Sequence, residues 1–232
     1  MTSAPDKTGI LLTALALIAM LVSLYLVFMY VPTETTMGEV QKIFYFHVPS
    51  AWLAFLAFFL VFVFSVVYLM RHEKKWDNLA ASTAEIGVLF CTLVLITGPI
   101  WAKPVWGIWW TWDARLTLTL VLWLIYVGYL MLRYYMVDPE RKATFAAVLG
   151  IVGFVDVPLV YFSIRWWRTQ HPQPVLAGGE GSGIEGPMLL TFVVCLATFT
   201  VMFFALLRYR YRLQELRDAL DELHDRVDHS AG

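Results

Sequence analysis

Trp101-Ala-Lys-Pro-Val-Trp106-Gly-Ile-Trp109-Trp110-Thr-Trp112-Asp113-Ala-Arg115-Leu-Thr117 stands between two apolar runs, Leu79–Ile100 and Leu116–Leu132. Each run is about long enough to cross the ~30 Å hydrocarbon layer as a helix, so the segment reads as a connector at one membrane face. Five of the chain's ten tryptophans lie between Trp101 and Trp112. An aromatic belt, with indole rings at the membrane–water boundary, is the plainest account. A belt uses one or two rings per helix end, however. Five rings beside Gly107, Asp113 and Arg115 look more like a platform for a flat, apolar, partly anionic ligand.

Working outward, four further runs have spanning length: Gly9–Tyr30, Val48–Met70, Ala143–Ile164 and Met188–Leu207. The expected class is therefore all-α, a polytopic membrane protein of six transmembrane helices embedded in a lipid bilayer. Of the 232 residues, 59% are hydrophobic and 15% charged, and the mean hydropathy is +0.66; a soluble domain would carry more solvating groups. The net charge of −1 gives no reason to expect nucleic acid as a partner. Cys91 and Cys195 sit inside apolar runs, which disfavours both a metal site and a disulfide. The chain has no Cys-x-x-Cys-His and is no c-type cytochrome. No small-residue cleavage site follows the first apolar run, which is expected to be retained.

Twelve of the seventeen Lys and Arg fall in the two tails and the connectors 71–78 and 133–142, and five in the other three connectors. The positive-inside bias then puts both termini in the cytoplasm and the Trp-rich segment outside. His72, His224 and His229 fall on the cytoplasmic side among charges. His47 and His171 fall outside, flanking the Trp cluster in sequence. A macrocycle with iron at its centre accounts for these features together, because haem iron takes imidazole nitrogen on both faces. Indole rings suit the porphyrin's faces and edge, and its propionates call for cations, of which Arg115, Lys103, Arg165 and Arg168 are on the right side. If the connector is helical, Trp106, Trp109 and Trp110 share one face of an interfacial amphipathic helix.

These residues resemble the WWD-domain haem-handling membrane proteins of cytochrome c biogenesis. The signature stands here as Trp106-Gly-Ile-Trp109-Trp110-Thr-Trp112-Asp113-Ala-Arg115-Leu-Thr117, with Tyr45-Phe-His47-Val-Pro49 before it and Ser163-Ile-Arg165-Trp166-Trp167-Arg168-Thr-Gln-His171 after it. Six spans in a chain of this length are most similar to the CcmC, or haem exporter protein C, type. The resemblance implies non-covalent haem b held by His47 and His171 as axial ligands at the outer face of a bacterial inner membrane. It implies a frame of Trp101, Trp106, Trp109, Trp110, Trp112, Asp113, Arg115 and Trp166 around the macrocycle. It further implies delivery to the haem chaperone CcmE, in company with the ABC components CcmA and CcmB and the small subunit CcmD, by a delivery factor that is not itself an enzyme. Asp156 departs from that family's expected neutral Asn, and the connector Ala177–Gly183 is unusually rich in glycine.

Two rivals remain at this point: a b-type cytochrome redox subunit and a haem permease. The first would bury His pairs inside spans, and none lies there; the second would want a polar path, for which the spans offer only Glu85 and Asp156. Each of those two acids is expected to make a structural hydrogen bond, and not to pair with the other. Residues 1–207 form the expected haem-handling domain. Residues 208–232 form a cytoplasmic helix with Leu213, Leu216, Leu220, Leu223 and Val227 spaced as a heptad seam.

Overall fold

The computed structural model describes residues 6–172, 183–184 and 186–231; most of the glycine-rich connector lies outside the described residues. Helix α1 (Lys7–Tyr25) starts at Asp6, whose carboxylate accepts the Gly9 N–H, and runs into a π-helical turn, Leu26–Tyr30. A short 3₁₀ turn, Glu39–Ile43, feeds α2 (Phe44–Arg71). Then come α3 (Lys74–Trp106), α4 (Ala114–Tyr135), α5 (Pro139–Phe154), α6 (Asp156–Trp166) and α7 (Gly186–Ala231). Among the described residues, six helical stretches are long and apolar enough to span a membrane, counting α5 with α6 as one. The chain is thus an all-α polytopic membrane protein.

Two expectations need correction. The fifth span is two helices, not one. Pro158 lacks an N–H and its ring opposes the carbonyl four residues back, that of Phe154, where α5 ends. The Trp-rich connector is not an interfacial helix. Helix α3 absorbs its first six residues and stops at Gly107, whose φ of +78° suits glycine and whose N–H and carbonyl are tied to Lys103. Residues 107–113 are non-helical, so Trp106, Trp109 and Trp110 do not share a helical face. The tail after Leu207 is helical as expected, α7 running on to Ala231.

Small residues let the helices approach closely, as they do where lipid removes any hydrophobic drive between spans. Ala54, Ala57 and Phe58 of α2 meet Ala84, Gly87 and Cys91 of α3 in the central core, and Phe58 stacks on Tyr126 of α4 with ring centroids 3.8 Å apart. A Cβ on Gly87 would fall 2.6 Å from Phe58 Cε1 and 3.0 Å from the Ala57 Cβ. Phe58 cannot swing away, being fully buried against Tyr126. Gly87→Ala should therefore destabilise the fold by about 1–3 kcal/mol, read as a lower midpoint of thermal unfolding in detergent.

Ion pairs gather at the end of the bundle that carries Asp6. Asp6 pairs with Arg208 and Arg212, which hold its carboxyl well below the usual carboxylate range. Arg133 donates two bonds to Asp77, at 2.5 and 2.8 Å. Glu85 pairs with Arg210 at 2.5 Å, as a structural role requires. Asp156 does not follow suit: its Oδ2 is buried without a hydrogen-bond partner among the described residues.

Candidate functional site

At the opposite end of the bundle from Asp6, a cavity opens beneath the Trp-rich segment. It holds about 1000 Å³ of non-atom space, with the open mouth and the solvent in it included. Helix α2 supplies His47 and Ala54, α3 supplies Cys91, Trp101, Ala102 and Trp106, and α4 supplies Arg115 and Leu122. The non-helical strap 107–113 covers one side, and Gln170-His171-Pro172 closes another. Histidines 124 residues apart in sequence thus line one space. The strap's anchor is Asp113, N-cap of α4, whose Oδ1 accepts the Leu116 N–H at 3.1 Å and whose Oδ2 accepts the Thr111 hydroxyl at 2.9 Å.

The hydrogen-bond network assigns the same tautomer to both imidazoles. His47 Nδ1 lies 2.8 Å from Thr97 Oγ1, and the single Thr97 hydroxyl proton is already donated to the Leu93 carbonyl at 2.6 Å. Thr97 therefore accepts from His47 Nδ1–H. His171 Nδ1 lies 2.9 Å from the Pro172 carbonyl, which can only accept. With Nδ1 protonated in each neutral ring, both Nε2 atoms keep their lone pairs, and neither makes a hydrogen bond among the described residues. Burial in the cavity, then the charge of Arg115, pushes His171 down to about 4, so it is neutral at physiological pH. The indole of Trp101 meets the His47 ring edge-on at 5.8 Å.

Unmatched donors mark the same cavity. Arg115 Nη1, Trp101 Nε1 and Trp110 Nε1 are all buried without an acceptor among the described residues. Buried donors are rarely left unmet, so three in one cavity call for an occupant with acceptor groups, anionic to suit Arg115. Among the described residues that line the cavity, Arg115 is the one Lys or Arg. Lys103 is committed to the Gly107 carbonyl at 2.8 Å, and Arg165 and Arg168 are exposed and outside the lining.

The aromatic residues divide likewise. Trp101, Trp106, Trp109 and Trp110 line the cavity. Trp112 is 75% exposed and packs edge-on against Trp110, while Trp166 is exposed and stacks on Phe162; neither lines it. Thr97 is the residue that sequence reasoning passed over. Its only sequence mark is a hydroxyl in an apolar run, one of many, and its distance from His47 is visible only once α2 and α3 pack. Thr97→Val, similar in shape but unable to accept, should free the His47 ring to rotate or change tautomer. If the two imidazoles ligate haem iron, Thr97→Val lowers haem affinity by about 10–100-fold while Thr97→Ser retains it, as measured by haem titration of the two purified variants.

The family model for CcmC, described as Heme exporter protein C, matches residues 2–225, nearly the whole chain. The chain belongs to the CcmC family. Among CcmC relatives, Heme exporter protein C of Bradyrhizobium diazoefficiens is 38% identical over 176 residues, covering 75% of this chain and 66% of its own. Heme exporter protein C of Haemophilus influenzae is 34% identical, covering 82% of this chain and 77% of its own. A putative cytochrome c biosynthesis ccmC-like mitochondrial protein of Marchantia polymorpha is 35% identical, covering 79% of each. The chain thus spans about two thirds to four fifths of the length of these CcmC-type relatives.

Proposed function

We propose that this protein serves cytochrome c maturation by holding haem b, non-covalently, between His47 and His171 and delivering it to the chaperone CcmE. Membership of the CcmC family supports the process. The observation that carries the haem assignment is the pair of imidazoles lining one cavity with both Nδ1 atoms committed and neither Nε2 atom hydrogen-bonded among the described residues. Haem is the cargo: a flat apolar ring whose iron accepts two imidazole nitrogens and whose propionates are anionic.

Each residue then has a task. His47, fixed by Thr97 in the bundle, is the more rigid ligand. His171 sits in the segment after α6, where its ring is held by the carbonyl of Pro172 and its backbone N–H by the hydroxyl of Thr169. Arg115 receives a propionate, and the indole N–H groups of Trp101 and Trp110 donate to the cargo's remaining acceptors. Trp106 and Trp109 pack on the ring, while exposed Trp112 and Trp166 offer a docking surface to the chaperone. Dual imidazole ligation shields the iron until handover. The count of Lys and Arg in the connectors supports an orientation with both termini cytoplasmic and the cavity facing outward from a bacterial inner membrane. In this reading the protein is a delivery factor, not an enzyme, and works with CcmA, CcmB and CcmD.

The test is haem titration of the purified, full-length protein. A low-spin spectrum saturating at one haem per chain is expected. A wild-type protein that comes haem-free from haem-replete cells and takes up none when it is added would overturn the reading.

A further inference from the structure

The far end of α7 carries a second surface, independent of the haem cavity. Leu213, Leu216, Leu220 and Leu223 stand 40, 60, 64 and 56% exposed along one stripe of this helix. With Leu213 at heptad position a, the positions edging the stripe hold Arg212, Arg217, Ala219, His224 and Arg226, without an acid. The acids Glu215, Asp218, Asp221 and Glu222 all fall behind the stripe.

Geometry explains why the stripe faces away from the bundle. Asp218 lies opposite it on the helix and is held by Lys74 at 3.3 Å and Asn78 at 2.5 Å, both at the start of α3. The acidic back is latched to the body and the leucines are turned outward. At ~1.5 Å per residue, 46 residues of unbroken α7 reach roughly 70 Å, about twice the ~30 Å hydrocarbon thickness. The stripe therefore continues the axis of a span and projects from the membrane instead of lying along it.

We propose that this stripe docks a helix of a different protein, one whose own apolar seam is edged with Asp and Glu. Charge complementarity selects that occupant. In a parallel pair, a second copy of this chain would set Arg217 of each helix against Arg212 of the other, whose own acid, Asp6, is already shared with Arg208, so Arg217 would meet no free carboxylate. An antiparallel pair would set basic edge against basic edge. Arg217 and Arg226 make no ion pair among the described residues, so both are available to carboxylates of a partner.

The experiment uses the full chain in nanodiscs and two synthetic leucine-seam heptad peptides, one edged with Glu and one with Lys. Fluorescence anisotropy should show the Glu-edged peptide binding about tenfold tighter or more. Arg217→Glu with Arg226→Glu, both on exposed positions, should reverse that preference. In parallel, Ala219→Cys labelled with benzophenone should crosslink, in native membranes, to an acid-edged helix of another chain. Equal binding of the two peptides by wild type would overturn the proposal. So would a crosslink to a second copy, to lipid or to nothing. Haem content plays no part in either readout, so this proposal and the haem reading stand or fall separately.

Discussion

Full-length protein carrying His171→Ala is expected to bind haem more than about 100-fold more weakly than wild type, and to hold what it binds as high-spin iron. The threshold comes from metal sites where loss of a mere supporting partner costs 10–100-fold; loss of a ligand itself should exceed it. His47→Ala should give the same spectrum, because neither ring alone can make the iron six-coordinate. The two differ in what surrounds the lost ring. Removing His47 leaves the Thr97 lone pair unmatched inside the bundle, whereas removing His171 frees only a carbonyl at the surface. Unfolding of the haem-free protein should therefore shift more for His47→Ala than for His171→Ala. The acid side of the binding curve follows from His171. Its imidazole is depressed from 6.5 to about 4 by burial. The unfolded chain then takes up this proton before the folded one does, so the ring favours the fold above pH 6.5 and that contribution is lost as pH falls toward about 4. Haem affinity should hold level from neutral pH down to about 5 and fall steeply near 4. A midpoint near 6.5 would show that the ring is not desolvated as described.

Arg133→Leu is expected to cost about 3–5 kcal/mol of stability, because it strands the carboxylate of Asp77. The pair is well buried, with both side chains 12% exposed, and its two bonds form a guanidinium fork. A surface pair would be worth a fraction of that. The informative comparison is the double variant Arg133→Leu with Asp77→Leu. Removing both charges should restore most of the loss, since the cost lies in an uncompensated charge more than in the bond given up. Thermal unfolding of the three proteins in one detergent decides the matter. Equal destabilisation of the single and double variants would mean that the pair contributes attraction that apolar packing cannot replace.

The six spans were legible because spanning length and hydropathy are properties of a run, insensitive to what the run packs against. The ligand candidates were legible too: once the spans alternate sides, His47 and His171 must share a face. What escaped was local. The break near Val155 was encoded by Pro158, but a run read for hydropathy alone looks continuous across it. The tryptophan spacing suggested a helix, and Gly107 ended that helix by adopting a left-handed backbone that spacing cannot register. Counting cations by side put Lys103 beside Arg115 as equals. Packing separated them: Lys103 folds back on its own helix end, and Arg115 turns inward. Asp156 shows the reverse failure, since the rule that buried carboxylates find partners led to a hydrogen bond that its Oδ2 does not make.

The floor of the cavity has a further consequence. One helical turn below the lining residues Ala54 and Leu122 come Phe58 and Tyr126, stacked face to face and fully buried, with Phe90 fully buried in the same core. A recess of this size opening through both faces of an energised membrane would short-circuit its ion gradient. Here the stacked rings of Phe58 and Tyr126 fill the space between α2 and α4, so along these two helices the cavity does not continue toward the Asp6 end, and the wall stays insulating where they meet.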